Sequence, residues 1–132
     1  MKSENLQNFD LGQLIDAFRE AAFGLADEEY HPRRYKKFYD RLKSVSDELR
    51  RRGHEARRAL VPLLDCQGAG PSYLRRARGA ECRYRAAWEL LAVEPERARA
   101  ALNALAQGWS AYQRALARGT LAHLEDGTLK PN

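Results

Sequence analysis

The side chains from which a catalytic or metal site is usually assembled are present, but their spacing does not assemble one. His31, His54 and His123 are scattered, and none has a second His or Cys at ligand spacing on the same helix, so no zinc or di-metal site is expected. Ser44 and Ser46 fall within a helical pattern and Ser72 within a basic loop. None has the Gly-x-Ser-x-Gly setting that sharpens a nucleophile. The carboxylates cluster as Asp27-Glu28-Glu29, Asp47-Glu48 and Glu94 with Glu96, where helix ends and solvated faces account for them. Paired acid–base work needs two carboxylates across one cleft, which neighbours on a helix do not provide. Gly68-Ala69-Gly70 follows no strand and precedes no Gly-Lys-Ser/Thr, which excludes a phosphate-cradling loop. Cys66 and Cys82 belong to no Cys-x-x-Cys pair and read as reduced, small apolar residues. The expectation is a protein that is not an enzyme and has no cofactor and no metal.

What remains is a constellation of arginines and aromatics. Arg50, Arg51, Arg52, Arg57 and Arg58 gather at one corner, and Tyr73, Arg75, Arg76, Arg78, Arg83, Tyr84 and Arg85 in a second segment. Arg with Tyr is the composition of protein-binding hot spots and of surfaces that stack on bases. Tyr73, Arg75, Arg76, Arg78, Arg50, Arg51, Arg52 and Arg57 are the predicted partner-binding residues. Tyr84 is expected in the core, Arg83 in an internal salt bridge, and Trp88 and Trp109 as anchors between packed helices.

The charge distribution sharpens this reading. Of 132 residues, 23 are Lys or Arg and 18 Asp or Glu, for a net charge of +5. Residues 1–31 carry two basic and seven acidic side chains, a local charge of −5, whereas residues 32–90 carry sixteen basic and seven acidic, or +9. A basic middle favours an acidic protein face or a polyanion. Eighteen of the cations are Arg, whose planar fork suits carboxylate, phosphate and aromatic partners. The length is that of one domain able to bury a core unaided. No apolar run spans a bilayer, and the Met-Lys-Ser-Glu-Asn start lacks a secretion-signal stretch, so the expected location is cytoplasmic, with no membrane partner.

These side chains must be positioned by helices, because no segment alternates apolar and polar residues as a strand does. Asp10 caps a first helix whose buried face is Leu11, Leu14, Ile15, Phe18, Ala21, Ala22 and Leu25. Pro32 opens a second, with Tyr35, Phe38, Tyr39, Leu42, Val45, Ser46 and Leu49 as its stripe and Gly53 as terminator. A short third helix runs through Ala56, Leu60 and Leu64, bent at Pro62. Residues 66–81 read as an added segment, a Gly-rich turn before a helix that starts at Pro71, breaks near Gly79 and continues to Leu91. A fifth helix starts at Pro95. A sixth, interrupted at Gly119, carries Trp109, Tyr112, Leu116 and Leu121, and the tail from Asp126 is expected to fray. The prediction is therefore an all-α single domain of about six helices: an N-terminal pair over 1–53, helical hairpins over 54–125 with the insertion at 66–81, and a tail over 126–132.

Laying Glu55–Asp65 over Glu96–Ala106 aligns Glu55 with Glu96, Arg58 with Arg99, Ala59 with Ala100 and Leu64 with Leu105, at a period that suits stacked helical hairpins. Ala59-Leu60-Val61-Pro62-Leu63-Leu64-Asp65, then Arg83, Ala86-Ala87, Leu90-Leu91 and Pro95, resembles a HEAT-type repeat. More narrowly, Arg58 to Leu124 is similar to a family of small bacterial HEAT-like proteins described only as a domain of unknown function. The resemblance implies that Asp65 and Arg83 are structural, joining turn to helix. The sequence departs from that pattern in the segment between them, which makes the insertion the leading functional element.

Two functions follow as expectations. The first is a non-enzymatic protein-binding module, by analogy an inhibitor or immunity protein that neutralises a bacterial toxin domain bearing an acidic surface; the acidic first thirty-one residues offer a second surface if the partner is basic. The alternative is a nucleic-acid-binding helical repeat that uses the basic middle, against which stand the interleaved Asp40, Asp47, Glu48, Glu55 and Glu81.

Overall fold

The computed structural model describes residues 5–132; the Met1–Glu4 part of the chain start lies outside the described residues. Among them the chain is all-α, with six α-helices: α1 (Leu11–Asp27), α2 (Pro32–Arg52), α3 (His54–Arg58), α4 (Ser72–Leu90), α5 (Pro95–Ala106) and α6 (Ala111–Asp126). Short 3-10 turns at Leu6–Asn8 and Val61–Asp65 complete it. None of these helices is long and apolar enough to cross a membrane.

Helix α1 starts where the sequence places a cap. Asp10 Oδ1 accepts from the Gln13 backbone N–H at 2.7 Å while Gln13 Oε1 accepts from the Asp10 N–H at 2.8 Å, a reciprocal box that satisfies two otherwise orphaned donors. Its buried face is Leu14, Ala17, Phe18, Ala21, Ala22 and Leu25. Gly24 sets how closely α2 approaches, because a Cβ there would lie 2.3 Å from the Phe38 ring. Helix α2 buries Leu42, Val45 and Leu49 against α1 and ends at Gly53, whose φ of +105° suits glycine.

The predicted third helix divides. Its first half is α3 and its second a 3-10 turn that buries Leu63; Pro62 stands in the first turn, where no helical N–H is needed. By contrast α4 is continuous through Gly79. The break expected there is absent because the missing side chain serves the neighbouring loop: a Cβ on Gly79 would lie 2.9 Å from the backbone carbon of Gln67. The segment 66–81 is thus a six-residue loop followed by the first half of α4. That helix packs against α1, α5 and the Val61–Asp65 turn, burying Ala80, Cys82, Tyr84, Ala86, Ala87 and Leu90, and is the central element of the fold.

Helices α5 and α6 pack as a hairpin. Helix α6 is uninterrupted at Gly119 and ends at Gly127 in the left-handed region, φ +80°, the usual stop signal. The tail is not frayed. The Leu129 N–H donates to the His123 carbonyl at 3.0 Å, Leu129 packs against the core, and Arg57 Nη1 donates to the Asn132 carbonyl at 3.2 Å.

Candidate functional site

The eight predicted partner-binding residues fall into two groups with different surroundings. Arg50, Arg51, Arg52 and Arg57 stand at the α2–α3 corner, where carboxylates and carbonyls engage each of them. Arg50 makes a forked contact with Glu89 of α4, both N–O distances being 3.1 Å. Glu48, itself buried, accepts from Arg51 Nε at 3.0 Å and Arg52 Nε at 2.8 Å. Arg51 and then Arg52 hold its carboxyl well down, at about 2. Arg52 also donates to the Phe9 and Leu6 carbonyls at 2.6 and 3.1 Å, tying the chain ahead of α1 to the end of α2. Arg57 is only 5% exposed. Its Nη2 donates to the Glu89 carbonyl at 3.0 Å, while its Nε is buried with no hydrogen-bond partner. Neighbouring Arg58 adds Glu94 at 3.1 Å. Through Arg50 and Arg57 this corner holds α2 and α3 to α4, whereas Arg51 is exposed and pairs within α2.

The second group lies at the start of α4. Arg78 is half-buried there and forks onto Asp27 at the end of α1, with both distances 2.8 Å, while also donating to the Ala69 carbonyl at 2.8 Å. Arg75 curls back to the Gly70 carbonyl at 3.0 Å without a carboxylate partner among the described residues. Arg76 lies over the Trp109 ring, 5.8 Å from its centre, within cation–π range. Tyr73 is 76% exposed and Trp109 57%. The expectation that Trp109 anchors the core is corrected: it precedes α6 on the outside, and Arg76 is its cover.

Between these groups, α4 carries a third cluster that sequence reading did not assemble. Glu81, 1% exposed, accepts from Arg85 Nε at 2.6 Å and from Gln113 Nε2 of α6 at 3.1 Å. Arg85 also donates to the Tyr35 hydroxyl at 3.2 Å and lies 6.0 Å from the centre of the Tyr39 ring and 5.5 Å from that of Tyr84. Burial, then the Tyr35 hydroxyl, push the Tyr112 phenol up, so it stays protonated at neutral pH. Tyr39 and Trp88 flank a shallow groove of about 220 Å³ between α2 and α4, with Lys43, Asp47 and Arg50 on its wall. Trp88, like Trp109, is exposed rather than a core anchor, at 39%. The signal was available in the helical spacing, since Tyr73, Ala77, Glu81, Tyr84 and Trp88 recur every three to four residues along one face of α4. What it lacked was the identity of the facing helices.

Of the other predictions, Tyr84 is in the core, its hydroxyl 2.9 Å from that of Thr120. Arg83 joins turn to helix as the resemblance implies, but through a carbonyl rather than a salt bridge, donating to Cys66 at 2.7 Å. Asp65 is exposed, and its carbonyl accepts from the Gln67 side chain at 3.0 Å; no ion pair joins it to Arg83 among the described residues. The Arg83 bond to the Cys66 carbonyl and the close approach of Gln67 to Gly79 lay Cys66 along the turn of α4 that contains Cys82, and each thiol shifts the acidity of the other. Among the described residues no group of three or more His, Cys, Asp or Glu side chains is placed to hold a metal ion. The surface offers aromatic rings and cations, the side-chain types of which binding hot spots are composed.

Comparison with known proteins agrees with the fold and is silent on activity. No curated protein matches the chain. The crystal structure of the protein RPA1889 from Rhodopseudomonas palustris CGA009 is similar, with a TM-score of 0.84 and 25% identity over 98% of this chain and 100% of that one. The model of the family described as a domain of unknown function, DUF2019, matches residues 12–125, nearly the whole helical body from α1 to α6, and the chain belongs to that family.

Proposed function

We propose that this protein is a non-enzymatic binding module that engages an acidic protein surface through the outer face of α4 and the adjoining α5–α6 corner, in the cytoplasm. The observation that carries the reading is the uncovered pairing of Arg76 with Trp109, beside Tyr73 and Arg75. Two large aromatic rings stand 57% and 76% exposed next to two guanidiniums that no carboxylate among the described residues neutralises. Covering exposed rings is favourable when a partner removes them from water, and Arg with Trp and Tyr is the composition of binding hot spots. The finer proposal is a bacterial toxin held inactive in the complex; its support is the analogy with small helical folds that bind partners through an exposed face and loop.

The test compares the protein with an Arg75→Glu/Arg76→Glu/Trp109→Ala variant as immobilised baits in lysate of the source cell, with and without nuclease and at rising salt. One protein retained by the parent through both treatments, and lost from a variant of unchanged helicity, supports the reading. Equal capture by the variant moves the interface elsewhere. Capture abolished by nuclease and falling steeply with salt assigns the surface to nucleic acid instead.

A further inference from the structure

The loop over residues 66–71 is laid on α4 with almost no free space. Gly68, at φ +76°, sits where a Cβ would be 2.1 Å from the Arg75 carbonyl oxygen, and a Cβ on Gly79 would be 2.9 Å from the Gln67 backbone. One turn further along α4, Arg83 donates to the Cys66 carbonyl at 2.7 Å. The Gln67 backbone thus lies against Gly79 and the Cys66 carbonyl against Arg83, which lays Cys66 along the turn of α4 that contains Cys82. The two thiols have unequal surroundings: Cys66 is half-buried, whereas Cys82 is wholly buried. Arg19 from α1 and Arg83 from α4 are the charged groups beside them.

We propose that Cys66 and Cys82 form a peroxide-sensitive dithiol, in which Cys66 is the attacking sulfur and Cys82 the resolving one. The Cys66 thiolate attacks one oxygen of hydrogen peroxide, the O–O bond breaks, and the departing hydroxide leaves as water with the proton that Cys66 gave up on ionising. Cys66 is then a sulfenic acid. The Cys82 sulfur attacks the Cys66 sulfur, the S–O bond breaks, and the second hydroxide takes the Cys82 proton. Two thiols and one peroxide become one disulfide and two waters.

The electrostatics suit this order. The Cys82 thiol, then the Gly68 N–H and the two guanidiniums, draw Cys66 down to about 6 against the opposing effect of burial, so it is largely thiolate at neutral pH and nucleophilic. Hydrogen bonding to Cys66 and burial push Cys82 up, so it keeps its proton until the sulfenic acid forms. The sequence separation of the pair concealed this, because no short motif brings them together.

The experiment exposes the native reduced protein to stoichiometric hydrogen peroxide and then measures intact mass and thiols alkylatable in denaturant. The expected result is loss of two hydrogens, loss of both alkylatable thiols, a Cys66–Cys82 cross-linked peptide, and full reversal by dithiothreitol. In Cys82→Ser, which keeps a hydrogen-bond donor in place of the Cys82 thiol, the reaction should stop at a Cys66 sulfenic acid that dimedone traps, and in Cys66→Ser, which alters only the half-exposed position, Cys82 should resist peroxide. Two persistent thiols, a bridge between two molecules, or direct passage of Cys66 to sulfinic acid in the parent protein would each overturn the proposal.

Discussion

The two arginine clusters look alike in sequence and differ in what surrounds them. At the α2–α3 corner the guanidiniums are met by Glu48, Glu89 and Glu94 and by backbone carbonyls. At the start of α4, Arg78 is similarly committed to Asp27, but Arg75 and Arg76 are left with a loop carbonyl and an indole ring. A count of positive charge treats the clusters as equal. Their chemistry is opposite, because a guanidinium already forked onto a carboxylate has little left to offer a partner, and removing it unbalances the interior. One cluster holds helices together while the other faces outward, and mutations at the two should separate stability from binding.

The sharpest test of the structural role is Arg57, the buried member of the corner cluster. Replacing it with Met keeps the stem but removes the donors that satisfy the Glu89 carbonyl and part of the charge opposite the Glu89 carboxylate, 3.9 Å away. Loss of one partner from a buried pair costs about 3 kcal/mol, so chemical denaturation should show a clear drop in midpoint at unchanged slope. A variant as stable as the parent would mean that Arg57 does not hold α3 to α4. Arg78→Ala comes next. Its fork onto Asp27 is half-buried, and losing charge-assisted bonds of that kind costs about 1.5 kcal/mol. Because Arg78 also holds the Ala69 carbonyl, hydrogen exchange should quicken in the 66–71 loop before it does in α1.

How much of this was legible follows from the range of each interaction. The capping box at Asp10 and the Pro starts of α2 and α5 are local, and they fall where the sequence places them. The Glu48 contacts with Arg51 and Arg52 are also local, at i,i+3 and i,i+4, and are of the kind that helical spacing alone can reveal. The Arg50–Glu89, Arg78–Asp27 and Arg85–Tyr35 contacts join distant segments, and periodicity carries no information about which helices face each other. Gly79 misleads for a related reason. Glycine in a helical pattern is ambiguous between a break and a close approach, and only the position of Gln67 resolves it. Size alone places Trp88 and Trp109 in the core, yet large aromatics also stand at surfaces where they meet partners.

Acid should weaken the carboxylate-paired cluster selectively. Glu48 has its carboxyl pulled from 4.5 to about 2 by Arg51 and Arg52. A carboxyl depressed in the folded state contributes stability that is fully present above its unfolded value and is lost as pH falls through the folded one. The thermal midpoint should therefore decline between about pH 4.5 and 2, and Glu48→Gln should flatten that part of the curve while leaving the fold intact. A profile unchanged by Glu48→Gln would show that Arg51 and Arg52 do not hold this carboxyl.

The smallest expected effect on stability is the most informative about function. Arg75→Glu/Arg76→Glu removes two exposed hydrogen bonds to the Gly70 carbonyl and one contact with an exposed indole, and breaks no ion pair among the described residues. Exposed substitutions of this kind change stability by about 0.5 kcal/mol or less, so the denaturation midpoint should barely move. Indole fluorescence should respond, because the guanidinium over Trp109 is replaced by a carboxylate that the ring face repels. If the midpoint instead falls as far as it does for Arg57→Met, then Arg75 and Arg76 are structural too and the contrast between the clusters collapses. If it holds while capture of an acidic partner is lost, the division stands: the same residue type serves as mortar where a glutamate faces it and as a binding surface where only an aromatic ring does.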